Sequence, residues 1–185
     1  MTKFNSIILA VATSAFLATS AFAGGHGKKV GGAEMLPDKN IIENAVNSAD
    51  HTTLVAAVKA AGLVDTLSGS GPFTVFAPVN DGFAALPAGT VETLLKPENK
   101  STLQKVLTAH VVAGNVSAED LVAKIKKGHG YTNITTVSGD TITARMDSKG
   151  VYIFDESGGV SRVTIADVNQ SNGVIHVIDN VLVPK

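Results

Sequence analysis

The residues of this chain best placed to do chemistry lie near its C-terminus, in Asn172-Gly-Val-Ile-His-Val-Ile-Asp-Asn-Val-Leu182, where His176 precedes Asp179 by three positions. An imidazole beside a carboxylate is the start of a general base or a metal site. Strand alternation argues against the pair. On an extended segment His176 shares a face with Val174, Ile178, Asn180 and Leu182, and Asp179 falls on the opposite face with Ile175, Val177, Val181 and Val183. A histidine among apolar neighbours is expected to bind a backbone group instead, because a buried polar atom left unpaired costs about 1–3 kcal/mol. His110 lies on a helical stripe with Leu103, Val106 and Leu107, which points it inward, where it could approach His176. A metal shared by the two would need a third ligand, and none is nominated.

Other reactive constellations are missing. The chain has no cysteine, which excludes thiolate nucleophiles and sulfur-ligated metals. It has no His-Glu-x-x-His, no Gly-x-Ser-x-Gly and no phosphate-cradling loop, and Asp147-Ser-Lys-Gly150 is too short for a calcium loop and reads as a hairpin turn. Lys124, Lys126 and Lys127 read as a solvated helix end, and a formal net charge of −1 with no sustained basic run leaves no footprint for nucleic acid. The expectation is therefore no catalytic residue, no metal and no cofactor.

The elements that position these residues begin with a separable leader. In residues 1–23, Lys3 precedes an apolar run from Ile7 to Leu17, and Ala21-Phe22-Ala23 has the form of a cleavage site. This is a secretory signal, too short in its apolar core for a spanning helix of about 20 residues. Export to a periplasm, the cell surface or the extracellular space follows, with no stable membrane insertion after cleavage. Residues 24–36, with Gly24, Gly25, Gly27, Gly31 and Gly32, read as a flexible tether in which His26 alone makes a poor metal site. Residues 37–185 form one domain.

Within that domain Asn40 to Leu67 has helical periodicity, with Asp50 placed to cap its second helix and Gly62 at a left-handed terminus. Thr74 and Phe76 sit in a short strand stopped by Pro78, after which Asn80 and Asp81 can cap a turn carrying Phe83 and Leu86. Thr90 to Lys96 and Ser101 to Val112 read as helices, and Ser117 caps another. After Tyr131 the period changes: Ile134–Val137, Thr141–Met146, Val151–Phe154, Arg162–Val168 and Val174–Val183 are strands of a mostly antiparallel meander. Helices gathered before strands predict an α+β fold.

Two stretches, Thr74 to Phe83 and Asn172 to Leu182, resemble the paired signatures of the fasciclin (FAS1) domain family, and the resemblance runs from about Pro37 to Pro184. In that family the first signature reads Thr-Val-Phe-Ala-Pro-Thr-Asn-x-Ala-Phe and the second Asn-Gly-x-Ile-His-x-Ile-Asp-x-Val-Leu. Thr74, Phe76, Pro78, Asn80 and Phe83 match the first, and Asn172, Gly173, His176 and Asp179 the second. Three positions depart from the pattern. Val79 stands where the family commonly has Thr, Ala109-His110 where it has Tyr-His, and Asn169 where an apolar residue usually follows the Asp-Ile step matched by Asp167-Val168.

The resemblance implies the FAS1 fold, a β-sandwich wedge of about seven strands with a packed layer of helices. It also implies a non-enzymatic secreted module that binds protein or polysaccharide on a cell surface or matrix, with Asp167 and Val168 as its contact residues; single-domain secreted members are typical of bacteria. A soluble carrier or sensor, holding a small apolar ligand between the helices and the wedge, is the alternative.

Overall fold

The strands of the two signatures lie side by side within one sheet. The computed structural model describes residues 27–185; the expected leader, residues 1–23, and residues 24–26 of the expected tether lie outside the described residues. In chain order the elements are β1 (Lys28–Val30), β2 (Ala33–Met35), α1 (Ile41–Ala45), α2 (Thr52–Ala61), α3 (Val64–Ser68), β3 (Phe73–Pro78), α4 (Asn80–Ala84), α5 (Thr90–Leu94), α6 (Lys100–Thr108), β4 (Val111–Ala113), α7 (Ala118–Lys127), β5 (Tyr131–Thr135), β6 (Thr141–Asp147), β7 (Gly150–Phe154), β8 (Val160–Gln170) and β9 (Gly173–Ile178).

Seven strands run in the order β4-β3-β9-β8-β7-β6-β5. All neighbours are antiparallel except β3 and β9, which lie parallel with Thr74 opposite Val174 and Phe76 opposite His176. The Val137 N–H, just beyond β5, donates to the Val111 carbonyl of β4 at 2.7 Å, so the sheet nearly closes on itself. That closure leaves few unpaired edge groups. The long strand β8 makes the bend, pairing with β7 at one end and β9 at the other, with register shifts between Val163 and Val168.

Alternation along β3 and β9 divides the apolar residues into two cores. Val75, Ala77, Ile175 and Val177 face the helical layer with Leu54, Val58, Leu103 and Leu107. Phe76 and Ile178 face the wedge interior with Leu121, Ile125, Ile142 and Ile153. Strands buried on both faces read as continuous apolar runs, which is why each signature looks apolar from end to end.

Four expectations change. Residues 28–35 of the expected tether form a hairpin: Val30 and Met35, each 3% exposed, repay its ordering by joining the helix-side core. The helix predicted over Ser101–Val112 stops at Thr108, and Val111 and Val112 enter β4, where β-branched residues pack against β3. Asp50 caps nothing; it lies in a single 3-10 turn, and α2 takes its cap from elsewhere. The strand predicted over Val174–Val183 ends at Ile178. Gly62, at φ 70°, ends α2, and Ser117 with Asp120 forms a reciprocal capping box on α7, where the Ser117 bonds hold the Asp120 carboxyl below its ordinary range.

Candidate functional site

The signature side chains are committed to the backbone. His176 is fully buried and stacks on Phe76 with ring centroids 5.5 Å apart. Its Nε2–H donates to the Val116 carbonyl at 2.8 Å, and its Nδ1 accepts the Asp167 N–H at 3.3 Å. His110 uses the opposite tautomer: Nδ1–H donates to the Val106 carbonyl and Nε2 accepts the Leu182 N–H, both at 2.8 Å. Each ring keeps one nitrogen as an acceptor, so each must be neutral. Burial pushes His110 down to about 4, against the Val106 carbonyl and Asp155. Burial likewise lowers His176, opposed by the Val116 carbonyl and Asp167. Asp179 lies apart from His176 and accepts from the Arg162 N–H at 2.7 Å and the Ser161 hydroxyl at 3.1 Å.

The remaining polar members tie the helical layer to the sheet. Asn80, expected to cap its own helix, reaches across to α2: its Oδ1 accepts from the Thr53 N–H at 3.0 Å, and its Nδ2 donates to the Ala49 carbonyl at 2.8 Å. Val79 takes the cap position of α4 with no side-chain bond. Thr74 links the Gly114 carbonyl to the Val116 N–H. Asn172 accepts from the Ile41 N–H and donates to the carbonyls of Leu67 and Gly69. Gly173, at φ 158°, is required by close approach, since a Cβ there would lie 2.0 Å from the Phe73 carbonyl oxygen. Phe83 and Pro78 are buried.

The expected contact pair lies at the irregularity of β8, with Asp167 half-buried and Val168 buried. Val168 is 1% exposed and belongs to the helix-side core, so its side chain reaches no partner. Asp167 sits at the β8 irregularity with φ 54°, a left-handed conformation that aspartate tolerates, and its carboxylate accepts the Ala118 N–H at the start of α7 at 2.7 Å. Both residues shape the bend of β8.

A different set comes together on the outer face of the meander. Direct cross-strand partners share a face, and the register places Tyr131 opposite Arg145, Arg145 opposite Tyr152, and Tyr152 opposite Arg162. Tyr131, Arg145 and Arg162 are exposed and Tyr152 is half-buried. Beside this row runs a second one, Asn133, Thr143, Phe154 and Val160, with the Arg145 guanidinium 5.0 Å from the centre of the Phe154 ring. The chain's two tyrosines and two arginines all stand in the first row.

Residues 49–184 match the family described as Fasciclin domain. The chain belongs to the fasciclin domain family. Similar proteins include Protein sll1483 of Synechocystis, 49% identical over 78% of this chain and 73% of that one. Immunogenic protein MPB70 of Mycobacterium bovis is 34% identical over 76% of this chain and 66% of its own length. Among solved structures, the FAS1 domain pair of the insect cell adhesion molecule fasciclin I matches with a TM-score of 0.71 at 19% identity, covering 80% of this chain and 51% of that one, a likeness of fold.

In this fasciclin domain, then, the signatures build the wedge, and the groups that face solvent together lie elsewhere. Sequence reasoning passed over the tyrosine and arginine row. Its signal was scarcity: all four residues fall between 131 and 162, on the strands of the meander, in a chain with no tryptophan. Among the described residues, no group of three histidine or acidic side chains is arranged to hold a metal.

Proposed function

We propose that this fasciclin domain is an exported adhesion module that binds a protein or polysaccharide of a cell surface or matrix and turns over no substrate. The observation that supports it is the Tyr131–Arg145–Tyr152–Arg162 row. Tyrosine and arginine are among the side chains that most often anchor interfaces, tyrosine giving large contact area at little entropic cost and arginine forked hydrogen bonding. A four-strand face fixed by ladder bonds holds them in register before any partner arrives. The neutral, backbone-bound histidines support the non-enzymatic part, and residues 1–23 support export. The fasciclin I likeness fits the reading, since that protein is an adhesion molecule.

The test uses the purified chain on immobilised cells, matrix proteins and polysaccharides. Replacing Tyr131 and Arg145 together by alanine is expected to weaken binding by about thirtyfold, because paired anchors carry most of an interface's energy. Both side chains are exposed, so thermal unfolding is expected to stay near the wild-type value. Unchanged affinity in the double variant would remove the row, and absence of binding across the panel would remove adhesion.

A further inference from the structure

The outer face of β5–β8 repeats at a fixed interval. Tyr131 of β5 and Tyr152 of β7 stand two strands apart, as do Arg145 of β6 and Arg162 of β8. Two strand spacings are about 10 Å, so rings and cations alternate across the strands and each kind returns at that interval. Both guanidinium groups are already placed. Arg145 lies 5.0 Å from the centre of the Phe154 ring, and the Arg162 Nη2 donates to the Lys149 carbonyl at 3.0 Å, which leaves its other N–H groups for a ligand.

Neither arginine is neutralised by an acid. Among the described residues the ion pair present is Lys105 with Asp140 at 3.7 Å. The carboxylates at the ends of these strands serve the backbone: Asp147 accepts from the N–H groups of Lys149 at 2.7 Å and Gly150 at 3.2 Å, and Glu156 from the Thr141 N–H at 2.9 Å. The face is therefore cationic. Its second row is short of the apolar centre that anchors a protein interface, since Phe154 lies under the Arg145 guanidinium and Asn133 and Thr143 are joined by a hydrogen bond of 2.9 Å.

Rings to stack on, forks for carboxylates, and a hydroxyl and an amide between them suit a chain of sugars. A pyranose presents a face of C–H groups to an aromatic ring, and the arginine fork takes a carboxylate through two parallel bonds. The interval selects the polymer. In an extended β-linked chain like groups recur every disaccharide, over a distance close to two strand spacings.

We propose that this face binds an acidic polysaccharide with one uronate carboxylate per disaccharide, laid across the strands with successive carboxylates on Arg145 and Arg162 and the intervening sugar against Tyr152. The inference rests on the adhesive reading of the same row and narrows its partner to one chemistry. One cation per repeat matches one carboxylate per repeat. A polymer that is also sulfated would bring charge without a counterpart, close to Asp147, which stands two residues from Arg145 on the same side of β6.

The test titrates the full chain, at one ionic strength, with three polymers: unsulfated chondroitin, in which glucuronate alternates with a neutral sugar; the same polymer with its carboxylates reduced to alcohols; and chondroitin sulfate. Unsulfated chondroitin is expected to bind about thirtyfold more tightly than the reduced form, and no more weakly than the sulfated one. Its tetrasaccharide, which reaches both arginines, should bind about tenfold more tightly than its disaccharide, which reaches one. Arg145→Gln combined with Arg162→Gln should lower the affinity for the acid polymer to that for the reduced one, and Arg145→Lys with Arg162→Lys, which keeps the charges and loses the forks, should stay about fivefold below wild type. The polymer comparisons on the wild-type chain carry the test if a variant does not fold. Equal affinity for the acid and reduced polymers, tighter binding of chondroitin sulfate, or glutamine substitutions without effect would each overturn the proposal. A chain that ignores all three polymers yet binds cells or matrix proteins would overturn it and leave adhesion standing, whereas a chain that binds nothing would remove both.

Discussion

The two cores on either side of β3 and β9 are built from the same alternating strands, yet they treat their polar residues differently. In the wedge interior both nitrogens of His176 are bound, Thr74 bridges two backbone groups and Phe76 stacks on the imidazole. On the helical side His51 shares one bond with the Ser48 hydroxyl and borders a small cavity. The difference follows from what faces each side. The wedge is lined by ladder strands and the long α7, which fix their neighbours to within a rotamer. The opposite side packs α2 and α6 against the sheet, but it is completed by α1 and α3, five residues each, and by a three-residue hairpin pair, pieces too short to interdigitate fully. Close packing specifies the fold on one side, and incomplete packing leaves room on the other.

The largest expected effect comes from Phe76→Ala, which deletes the wedge-core ring stacked on His176 and should cost about 4 kcal/mol in urea unfolding. A loss below about 1 kcal/mol would mean that the wedge is not the rigid half. Next is acid. The unfolded chain carries ordinary imidazoles near 6.5, whereas His110 is held to about 4 in the fold. Between those values the unfolded state binds more protons, so stability is complete above pH 6.5 and is lost as pH falls toward 4. His110 alone is worth about 3 kcal/mol over that window, and His176 and His51, both lowered by burial, act in the same direction. A flat stability profile from pH 7 to 4.5 would refute the neutral assignment.

Smaller and more pointed is a pair of matched substitutions. His176→Phe strands the Val116 carbonyl and the Asp167 N–H and should cost about 2 kcal/mol, whereas His51→Phe leaves the mobile Ser48 hydroxyl to find another partner and should cost about 1 kcal/mol. Equal losses in chemical denaturation would erase the contrast between the cores. Smallest is Asn80→Ala, which uncaps α2 from a distance; about 1 kcal/mol is expected, with hydrogen exchange quickening first at Thr52 and Thr53.

Local signals carried well from sequence to structure. The capping box of Ser117 and Asp120, the left-handed Gly62 and the strands after Tyr131 depend on neighbours a few residues away. The fold class and the family were legible because each signature is long and apolar on both faces. What escaped depends on distant partners. Asn80 serves a helix 27 residues earlier, Val111 and Val112 leave their helix because β3 is waiting, and Val30 and Met35 are drawn from a glycine-rich segment by a core that periodicity does not show. The family's Asp-Ile step points Asp167 and Val168 to a contact surface; beside the register shift in β8 the valine turns inward and the aspartate stays half-buried.

The parallel pairing of β3 with β9 also sets a clock. Every rung, from Phe73 with Gly173 to Pro78 with Ile178, joins residues made one hundred positions apart. Until β9 has been synthesised, β3 lacks its neighbour and neither core can close, and contacts this remote in sequence form slowly. The segment Gly173–Ile178 therefore acts as the latch of the fold: while it is unpaired β3 stays uncovered along one edge, and its arrival closes both cores in one step.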